Sequence, residues 1–327
     1  MTNDEATLTA AGVATGQPAG SVWSRGPLAH ARYALLSMRP RQWTKNGIVF
    51  VALIFSLGQS WHLDDPDTWL PLLRDSALAF VFFCLVSSAD YLLNDVRDRE
   101  GDRLHPKKRL RPIAAGNLSP VAATAWAGAL VVLGVGGGFA LEWKVGAILA
   151  GYLALMLGYS YYLKHVVLLD LAAIAAGFVL RAMAGAVAID VPISPWLYVV
   201  TALGALFLII NKRRAEILLL DADAGNHRPV LEEYSADLLD QMASTVTAST
   251  LIAYGLYTFT AEGLPQNHSM MLTIPFVLYG IFRYLYLVHK KDQGGSPEEV
   301  LLRDTPLIVC ILLWMATAAI VLMVNRE

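Results

Sequence analysis

The chain has 327 residues, of which 56% are hydrophobic and only 16% are charged, and its formal net charge is −2. A typical globular domain is about 25% charged, so this composition excludes a pair of ordinary soluble domains. The mean hydropathy of +0.49 points to a membrane protein.

Nine apolar runs account for just over half of the sequence. They are 16 to 24 residues long, close to the ~20 residues with which a helix crosses about 30 Å of hydrocarbon. The runs are residues 46–61, 76–93, 122–141, 145–163, 166–189, 195–210, 242–260, 270–288 and 305–324. They predict an all-α, polytopic membrane protein with nine transmembrane helices in one domain, residues 27–327, after a disordered cytoplasmic tail, residues 1–26.

The positive charges are predicted to gather on one face of the membrane. When the connections alternate through nine spans, 20 of the 25 Lys and Arg residues fall on the side of the N-terminus. Cytoplasmic loops carry an excess of Lys and Arg, so this face is predicted to be the cytoplasmic side of a plasma membrane. The long connections, and therefore any chemistry, are expected on the same face.

A row of polar side chains marks the end of the second apolar run. Asn94, Asp98 and Asp102 are spaced four residues apart and share one face of a helix, with Asp95 beside them and Asp90 one turn deeper. Stacked carboxylates repel one another, whereas Mg²⁺ takes oxygen ligands, commonly one or two carboxylates together with substrate phosphates. We call Asn94, Asp95, Asp98 and Asp102 the acidic ladder.

A basic run, residues 107–111, follows the acidic ladder directly. Carboxylates that hold a metal beside a cluster of cations suit a diphosphate. The alternative is a solvated acidic helix end that neighbouring arginines neutralise.

The segment 94–102 reads N-D-x-x-D-x-x-x-D and resembles the first aspartate-rich motif of the UbiA superfamily of intramembrane prenyltransferases. That resemblance implies a helical bundle around a central cavity that opens to the cytoplasm and holds Mg²⁺ and a diphosphate. It implies Asn94, Asp98 and Asp102 as metal ligands, and Asp95, Asp98 and Asp102 as catalytic residues.

Residues 38–46, 102–116, 212–216 and 299–304 look more narrowly like one branch of that superfamily. This branch moves a 5-phosphoribosyl group from 5-phosphoribosyl 1-diphosphate (PRPP) to a polyprenyl phosphate. The resemblance implies a glycosyltransferase of the pentosyltransferase kind that makes a precursor of cell-wall arabinan.

One departure from the wider superfamily agrees with the narrower resemblance. Where prenyltransferases of this fold carry a second aspartate-rich motif, residues 211–216 read N-K-R-R-A-E, and Asp221 and Asp223 follow only later. Cations in place of carboxylates suit a monophosphate, such as the 5-phosphate of ribose or the phosphate of a lipid.

The expected phosphate ligands are cations near the cytoplasmic ends of the spans. They are Arg41, Lys45, Lys108, Arg109, Arg111, Lys164, Lys212 and Arg213. Each can equally be read as a residue that only sets the topology.

Two residues near or within the spans have two readings each. Arg181 either reaches towards a phosphate or bonds a polar group of another helix, since charges inside a membrane are costly. It lies about 16 Å along a helix from Asp170, too far to pair with it. Tyr159 either bonds a ribose hydroxyl or belongs to an interfacial aromatic belt.

Two other functions stay open at this point. The chain could be a prenyltransferase that uses a prenyl diphosphate and an aromatic acceptor, or a transporter or binding protein for a phosphorylated lipid. The expected partners are PRPP, polyprenyl phosphate and the lipid bilayer; nucleic acid is not expected, and a homo-oligomer is compatible with the sequence.

Overall fold

The computed structural model describes residues 26–105, 108–192, 194–220, 229–291 and 293–325. Residues 1–25 of the predicted tail lie outside the described residues. Asp221 and Asp223 also lie outside them.

Within these ranges the secondary structure is helical, apart from a single β-bridge between Leu57 and Trp61. The α-helices are α1 (Pro27–Ser37), α2 (Val51–Phe55), α3 (Pro66–Arg97), α4 (Arg99–Leu104), α5 (Pro120–Leu141), α6 (Trp143–Tyr161), α7 (Leu169–Ala188), α8 (Pro195–Leu220), α9 (Ala236–Thr260), α10 (Ile274–Lys291), α11 (Pro297–Arg303) and α12 (Thr305–Asn325). Short 3₁₀ segments cover Pro40–Phe50, Lys108–Leu110, Leu163–His165, Pro229–Glu233 and Ser269–Thr273. The prediction of an all-α fold is confirmed.

Local sequence signals explain where the long helices begin. The carboxylate of Asp65 accepts a hydrogen bond from the backbone N–H of Asp67 at 3.2 Å, and Pro66 occupies the first turn of α3. The Ser119 side chain caps α5 in the same way by accepting from the backbone N–H of Ala122, and Pro120 occupies the first turn. Polar N-caps satisfy otherwise unpaired N–H groups, and proline at the first helical position forfeits no hydrogen bond.

Seven helical stretches of the described residues are long and apolar enough to cross a membrane. They are α3, α5, α6, α7, α8, α12, and α10 together with the 3₁₀ turn before it. Each contains most or all of one predicted apolar run. The count of nine spans stays a prediction, because the helices of the remaining two runs are not among these seven.

The first apolar run begins inside the 3₁₀ segment Pro40–Phe50 and continues through α2. At the rises of the two helix types, the whole 3₁₀ segment and α2 together, residues 40–55, are roughly 30 Å long. The seventh run lies in α9, whose Ser and Thr residues lower its hydropathy. The Ser244 and Thr245 hydroxyls donate to backbone carbonyls one turn earlier, at 2.9 and 3.0 Å, so they need no partner outside the helix.

The helices form one connected bundle. Helix α3 contacts α5, α6 and α7, while each of α5 to α9 packs against the next along the chain. Helix α10 contacts α12, and α12 contacts α2, so the last long helix lies beside the short helix of the first apolar run.

Small residues allow the closest of these contacts. A Cβ atom on Gly185 of α7 would lie 1.9 Å from the carbonyl oxygen of Val49, and one on Gly134 of α5 would lie 2.7 Å from Cγ2 of Val86. Small residues in membrane helices let neighbouring backbones approach this closely.

Candidate functional site

The acidic ladder spans the junction of two helices. Helix α3 ends at Arg97, Asp98 is the linking residue, and α4 begins at Arg99. The backbone N–H of Asp98 still donates to the Asn94 carbonyl at 2.9 Å, and that of Asp102 donates to the Asp98 carbonyl at 2.8 Å. Because the four-residue repeat of hydrogen bonds continues through the junction, the polar side chains stay on successive turns.

Two arginines hold the buried acids of the ladder. Arg111 Nη1 lies 3.1 Å from Asp95 Oδ1 and 2.6 Å from Asp102 Oδ2, so one guanidinium bridges both carboxylates. Arg39 also donates to Asp95, and its guanidinium lies over the ring of Tyr91 at 4.9 Å. The like charges of Asp95 and Asp102 are therefore compensated within the protein.

Arg39 reaches Asp95 from an unusual backbone conformation. Its φ and ψ angles are 54° and 62°, in the left-handed region that residues with a side chain rarely adopt. This conformation turns the chain between α1 and the 3₁₀ segment Pro40–Phe50. A strained backbone at a residue that contacts a candidate site is typical of functional positions.

The other two ladder residues face the end of α6. The hydroxyl of Ser160 donates to Asn94 Oδ1 at 3.3 Å, and Lys164 Nζ lies 3.4 Å from Asp98 Oδ1. The Asp98 side chain is 34% exposed, much more than that of Asp95 or Asp102. Asp98 is thus the ladder carboxylate most open to a ligand.

A second cationic group contains Lys45, from the 3₁₀ segment Pro40–Phe50, and Lys212, from α8. Lys45 and Lys212 line a cavity of about 360 Å³ together with Glu298. The Glu298 carboxylate lies 3.7 Å from Lys45 Nζ and accepts a hydrogen bond from Gln42 Nε2 at 2.7 Å. We call this group, Gln42, Lys45, Lys212 and Glu298, the basic mouth.

Burial and charge set the ionisation of the basic mouth. Burial lowers the pKa of Lys45 to about 8; Glu298 opposes this shift, and Lys212 adds to it. Burial alone would raise the pKa of Glu298, but Lys45 and the Gln42 amide outweigh it, so that pKa lies below its usual range. Near neutral pH, both members of the pair are charged.

The cavity at the basic mouth adjoins a second, larger one of about 420 Å³. The walls shared by the two are apolar: Ile48, Phe178, Ala205, Leu208 and Leu301. Most of the larger cavity is lined by aromatic and aliphatic side chains from α8, α9, α10 and α12. A cavity with charged residues in its lining therefore adjoins a larger apolar cavity between helices.

Arg213, one of the predicted phosphate ligands, is engaged in a buried network of hydrogen bonds. Arg213 lies 3.2 Å from Asp170 Oδ2, 2.6 Å from Glu216 Oε2 and 3.2 Å from the Tyr159 hydroxyl. The Tyr234 hydroxyl donates to the other oxygen of Asp170 at 2.7 Å. This network links α6, α7 and α8, and it includes the Tyr159 hydroxyl.

Arg181 is likewise bonded inside the bundle. It donates to Asn46 Oδ1 at 2.7 Å, to the Gly177 carbonyl at 2.8 Å and to the Tyr152 hydroxyl at 2.8 Å. Arg181 and Asp170 do not pair with each other, as their separation predicted. Of the two readings of Arg181, these contacts favour bonding to other helices.

The remaining predicted cations lie towards solvent. Arg41 and Arg109 are exposed, and Lys108 is half-buried. The structure thus brings Arg111 and Lys164 to the ladder and Lys45 and Lys212 to the basic mouth.

Four residues at these sites were missed by sequence reasoning: Arg39, Gln42, Ser160 and Glu298. Arg39 and Gln42 lie within residues 38–46, and Glu298 directly precedes residues 299–304, two of the segments that carried the resemblance. Position in or next to those segments was the signal for these three residues, whereas Ser160 lies in none of them, and the partners of all four lie far away in the chain.

These features define a multi-pass integral membrane protein with an oxygen-rich helix junction and a separate cationic entrance to an apolar cavity. The chain belongs to the UbiA prenyltransferase family, whose family model matches residues 48–302. The resemblance inferred from the sequence is confirmed.

Two curated relatives are decaprenyl-phosphate phosphoribosyltransferases. The one from Mycobacterium tuberculosis is 36% identical over 283 residues, which cover 86% of this chain and 91% of the relative. The one from Corynebacterium glutamicum is 38% identical over 286 residues, which cover 85% and 83%. These relatives belong to the branch that the sequence indicated.

A solved structure shares the fold. A UbiA homologue from Archaeoglobus fulgidus, bound to DMAPP and Mg²⁺, superimposes with a TM-score of 0.66 at 19% identity and covers 89% of this chain and 99% of its own. The prediction of a UbiA-like helical fold is confirmed at this level.

Proposed function

We propose that this protein transfers the 5-phosphoribosyl group of PRPP to the phosphate of a polyprenyl phosphate, with decaprenyl phosphate as the acceptor, and releases diphosphate. One observation carries the proposal. The bundle combines two different anion environments, carboxylates with arginines at the ladder and lysines at the basic mouth of an apolar cavity. A metal-bound diphosphate fits the first, and a lipid phosphate fits the second.

The ladder has the donor chemistry that Mg²⁺ requires. Asn94, Asp98 and Asp102 offer oxygen atoms on successive helical turns, and these residues would hold the ion. Among the described residues no three His, Cys, Asp or Glu side chains converge on one point. This fits a cation that binds one or two carboxylates and completes its shell with substrate phosphates and water. Bound there, Mg²⁺ would stabilise negative charge on the departing diphosphate.

The chain's own cations complete the donor site. Arg111 bridges Asp95 and Asp102, and Lys164 lies beside Asp98, so each can contact a diphosphate that docks on the ladder. Arginine suits bidentate contact with phosphate, while lysine supplies a compact charge. Asp95 positions Arg39 and Arg111.

The acceptor needs no general base, because its phosphate is already anionic. A phosphate oxygen attacks the anomeric carbon of the ribose, the bond from that carbon to diphosphate breaks, and the electron pair leaves with the diphosphate. Direct attack inverts the configuration at this carbon. Lys45 and Lys212 orient the attacking phosphate, so catalysis consists mainly of positioning and charge stabilisation.

The apolar cavities behind the basic mouth suit the isoprenoid chain. Their walls are formed by residues such as Phe178, Leu208 and Leu301. A polyprenyl tail there would keep its phosphate at Lys45 and Lys212.

The active site is proposed to face the cytoplasm, because the basic connections cluster on that face. A cysteine introduced at position 100 should react with a membrane-impermeant probe from the cytoplasmic side. Reaction from the outer side alone would contradict the orientation.

The activity is tested with purified protein, Mg²⁺, PRPP and decaprenyl phosphate. We expect diphosphate release and a phosphoribosylated lipid. Turnover with a prenyl diphosphate and an aromatic acceptor instead would identify a prenyltransferase, and lipid binding without turnover would identify a carrier.

Two matched variants test the ladder. Asp98→Asn should lower kcat/KM for PRPP about 100-fold, because it removes a charged ligand of the metal and diphosphate. Glu100→Gln on the next helix should stay within about twofold, since Glu100 forms only exposed pairs with Arg99 and Arg103. Full activity of Asp98→Asn would contradict the metal assignment.

A further inference from the structure

Glu298 lies where an anionic ligand of the basic mouth would bind. It belongs to the short helix α11, in the connection between α10 and α12. Its Oε1 accepts the Gln42 amide at 2.7 Å, and its Oε2 lies 3.7 Å from Lys45 Nζ. Oε2 is buried and accepts no hydrogen bond from any described residue. A carboxylate oxygen in this position is held by charge alone.

The neighbouring Glu299 shows how different this environment is. The Glu299 side chain is 51% exposed and lies 3.5 Å from that of Arg303, one turn later on the same helix. The Glu298 side chain is only 13% exposed. One residue therefore faces solvent, while the next faces a cavity that also contains Lys45 and Lys212.

The Lys45 side chain is 28% exposed, and an ammonium group that has lost much of its hydration is unfavourable without a partner. Glu298 removes this penalty for Lys45 when no lipid is bound. A phosphate that enters the cavity competes for the same ammonium groups, and its greater charge and additional oxygens favour it over one carboxylate. Exchange of one anion for another leaves Lys45 paired at every stage.

We propose that Glu298 is an internal counter-anion that the phosphate of the lipid acceptor displaces from Lys45. This inference rests on the proposed function. The acceptor is a phosphomonoester with up to two negative charges, whereas after transfer the same phosphate is a singly charged diester. The returning carboxylate competes better against the diester than against the monoester, so Glu298 weakens binding of the product more than binding of the acceptor and favours release of the product.

Direct binding measurements separate this role from a structural one. Glu298→Gln keeps the shape of the side chain but removes its charge. Measured well below the pKa of Lys45, its Kd for polyprenyl phosphate should fall roughly tenfold, because the phosphate no longer competes with a carboxylate for Lys45. Its Kd for PRPP should stay within about twofold, and its kcat should fall because the product leaves more slowly.

A second variant changes Gln42, the hydrogen-bond partner of Glu298. Gln42→Leu removes the amide that holds Glu298 and leaves both charges in place, so it should also tighten binding of polyprenyl phosphate, by a smaller factor. Glu299→Gln is the matched control and should match the wild type in every constant.

The outcomes distinguish the two proposals. If the wild-type protein does not convert PRPP and polyprenyl phosphate, the proposed function is wrong. If it does, but Glu298→Gln and Gln42→Leu bind polyprenyl phosphate no more tightly than wild type, the counter-anion role is wrong. A changed Kd for PRPP in Glu298→Gln would also overturn it, because it would place Glu298 at the donor.

Discussion

The buried pair of Arg213 and Asp170 offers a test in which structure and sequence pattern predict different results. The two side chains are 2% and 0% exposed, and Arg213 Nε lies 3.2 Å from Asp170 Oδ2. Arg213→Met would leave the Asp170 carboxylate buried without its cation, which destabilises a protein by about 3–5 kcal/mol. At about 2 °C per kcal/mol, the melting temperature should fall by about 6–10 °C.

Substitution of both residues completes a double-mutant cycle. Replacing both residues, as in Arg213→Met with Asp170→Leu, removes the uncompensated charge, and apolar groups of similar size often substitute for a buried ion pair without loss of stability. The double variant should therefore melt above Arg213→Met. The non-additive part of the cycle measures the coupling of the pair.

An adjacent arginine provides the control. Arg214 Nε lies 2.5 Å from Asp240 Oδ1, but these side chains are 17% and 37% exposed. Exposed pairs contribute about 0–1 kcal/mol, so Arg214→Met should shift the melting temperature by about 2 °C or less.

Melting of the purified variants in detergent is followed by intrinsic tryptophan fluorescence, and transfer activity is measured below each melting temperature. If Arg213→Met melts like the wild type but has lost activity, Arg213 is a phosphate ligand. That result would show that the buried pair of Arg213 and Asp170 does not stabilise the bundle.

Two further predictions follow from close packing and from ionisation. Gly185→Ala should lower stability by about 1–3 kcal/mol, because its Cβ would meet the Val49 carbonyl oxygen at 1.9 Å. Gly151→Ala on α6 meets nothing within 4 Å and should raise the melting temperature by about 2 °C, because alanine is favoured over glycine in a helix by about 1 kcal/mol; a fall equal to that of Gly185→Ala would refute the packing argument. Acceptor affinity should fall as pH rises through about 8, where Lys45 loses its proton, and Lys45→Arg, which stays charged, should flatten that profile. An unchanged pH profile in Lys45→Arg would exclude Lys45 as the group that titrates.

Helical periodicity was sufficient to predict which side chains share the ladder. Asn94, Asp98 and Asp102 are related by the repeat of a single helix, and hydrogen bonds of four-residue spacing carry that repeat across the junction at Asp98. The apolar runs likewise marked the seven membrane-length helices, because a span depends on length and hydropathy alone. Both predictions rest on local properties of the chain.

The partners of the ladder could not be predicted in this way. Arg39 reaches Asp95 over a separation of 56 residues, and Ser160 reaches Asn94 over 66. No period of a single helix relates such residues, since the packing of several helices brings them together.

Sequence pattern also cannot separate a cation that binds a ligand from one that stabilises the bundle. Lys212 and Arg213 are adjacent at the end of one span and looked equivalent as phosphate ligands. On α8 they face different neighbours, because successive residues of a helix point about 100° apart. Lys212 lines the cavity at the basic mouth, whereas Arg213 faces Asp170, Glu216 and Tyr159 in the bundle.

The position of the carboxylate partner then distinguishes the two kinds of cation. Asp170 is held on a long helix and by the Tyr234 hydroxyl, so it cannot leave Arg213 without breaking the packing of α7 and α8. Glu298 is held on a helix of seven residues and by one amide, so its side chain can rotate away from Lys45 at little cost. A phosphate can therefore replace the partner of Lys45 but not that of Arg213, and this difference in restraint is the physical reason to assign the lipid phosphate to the basic mouth.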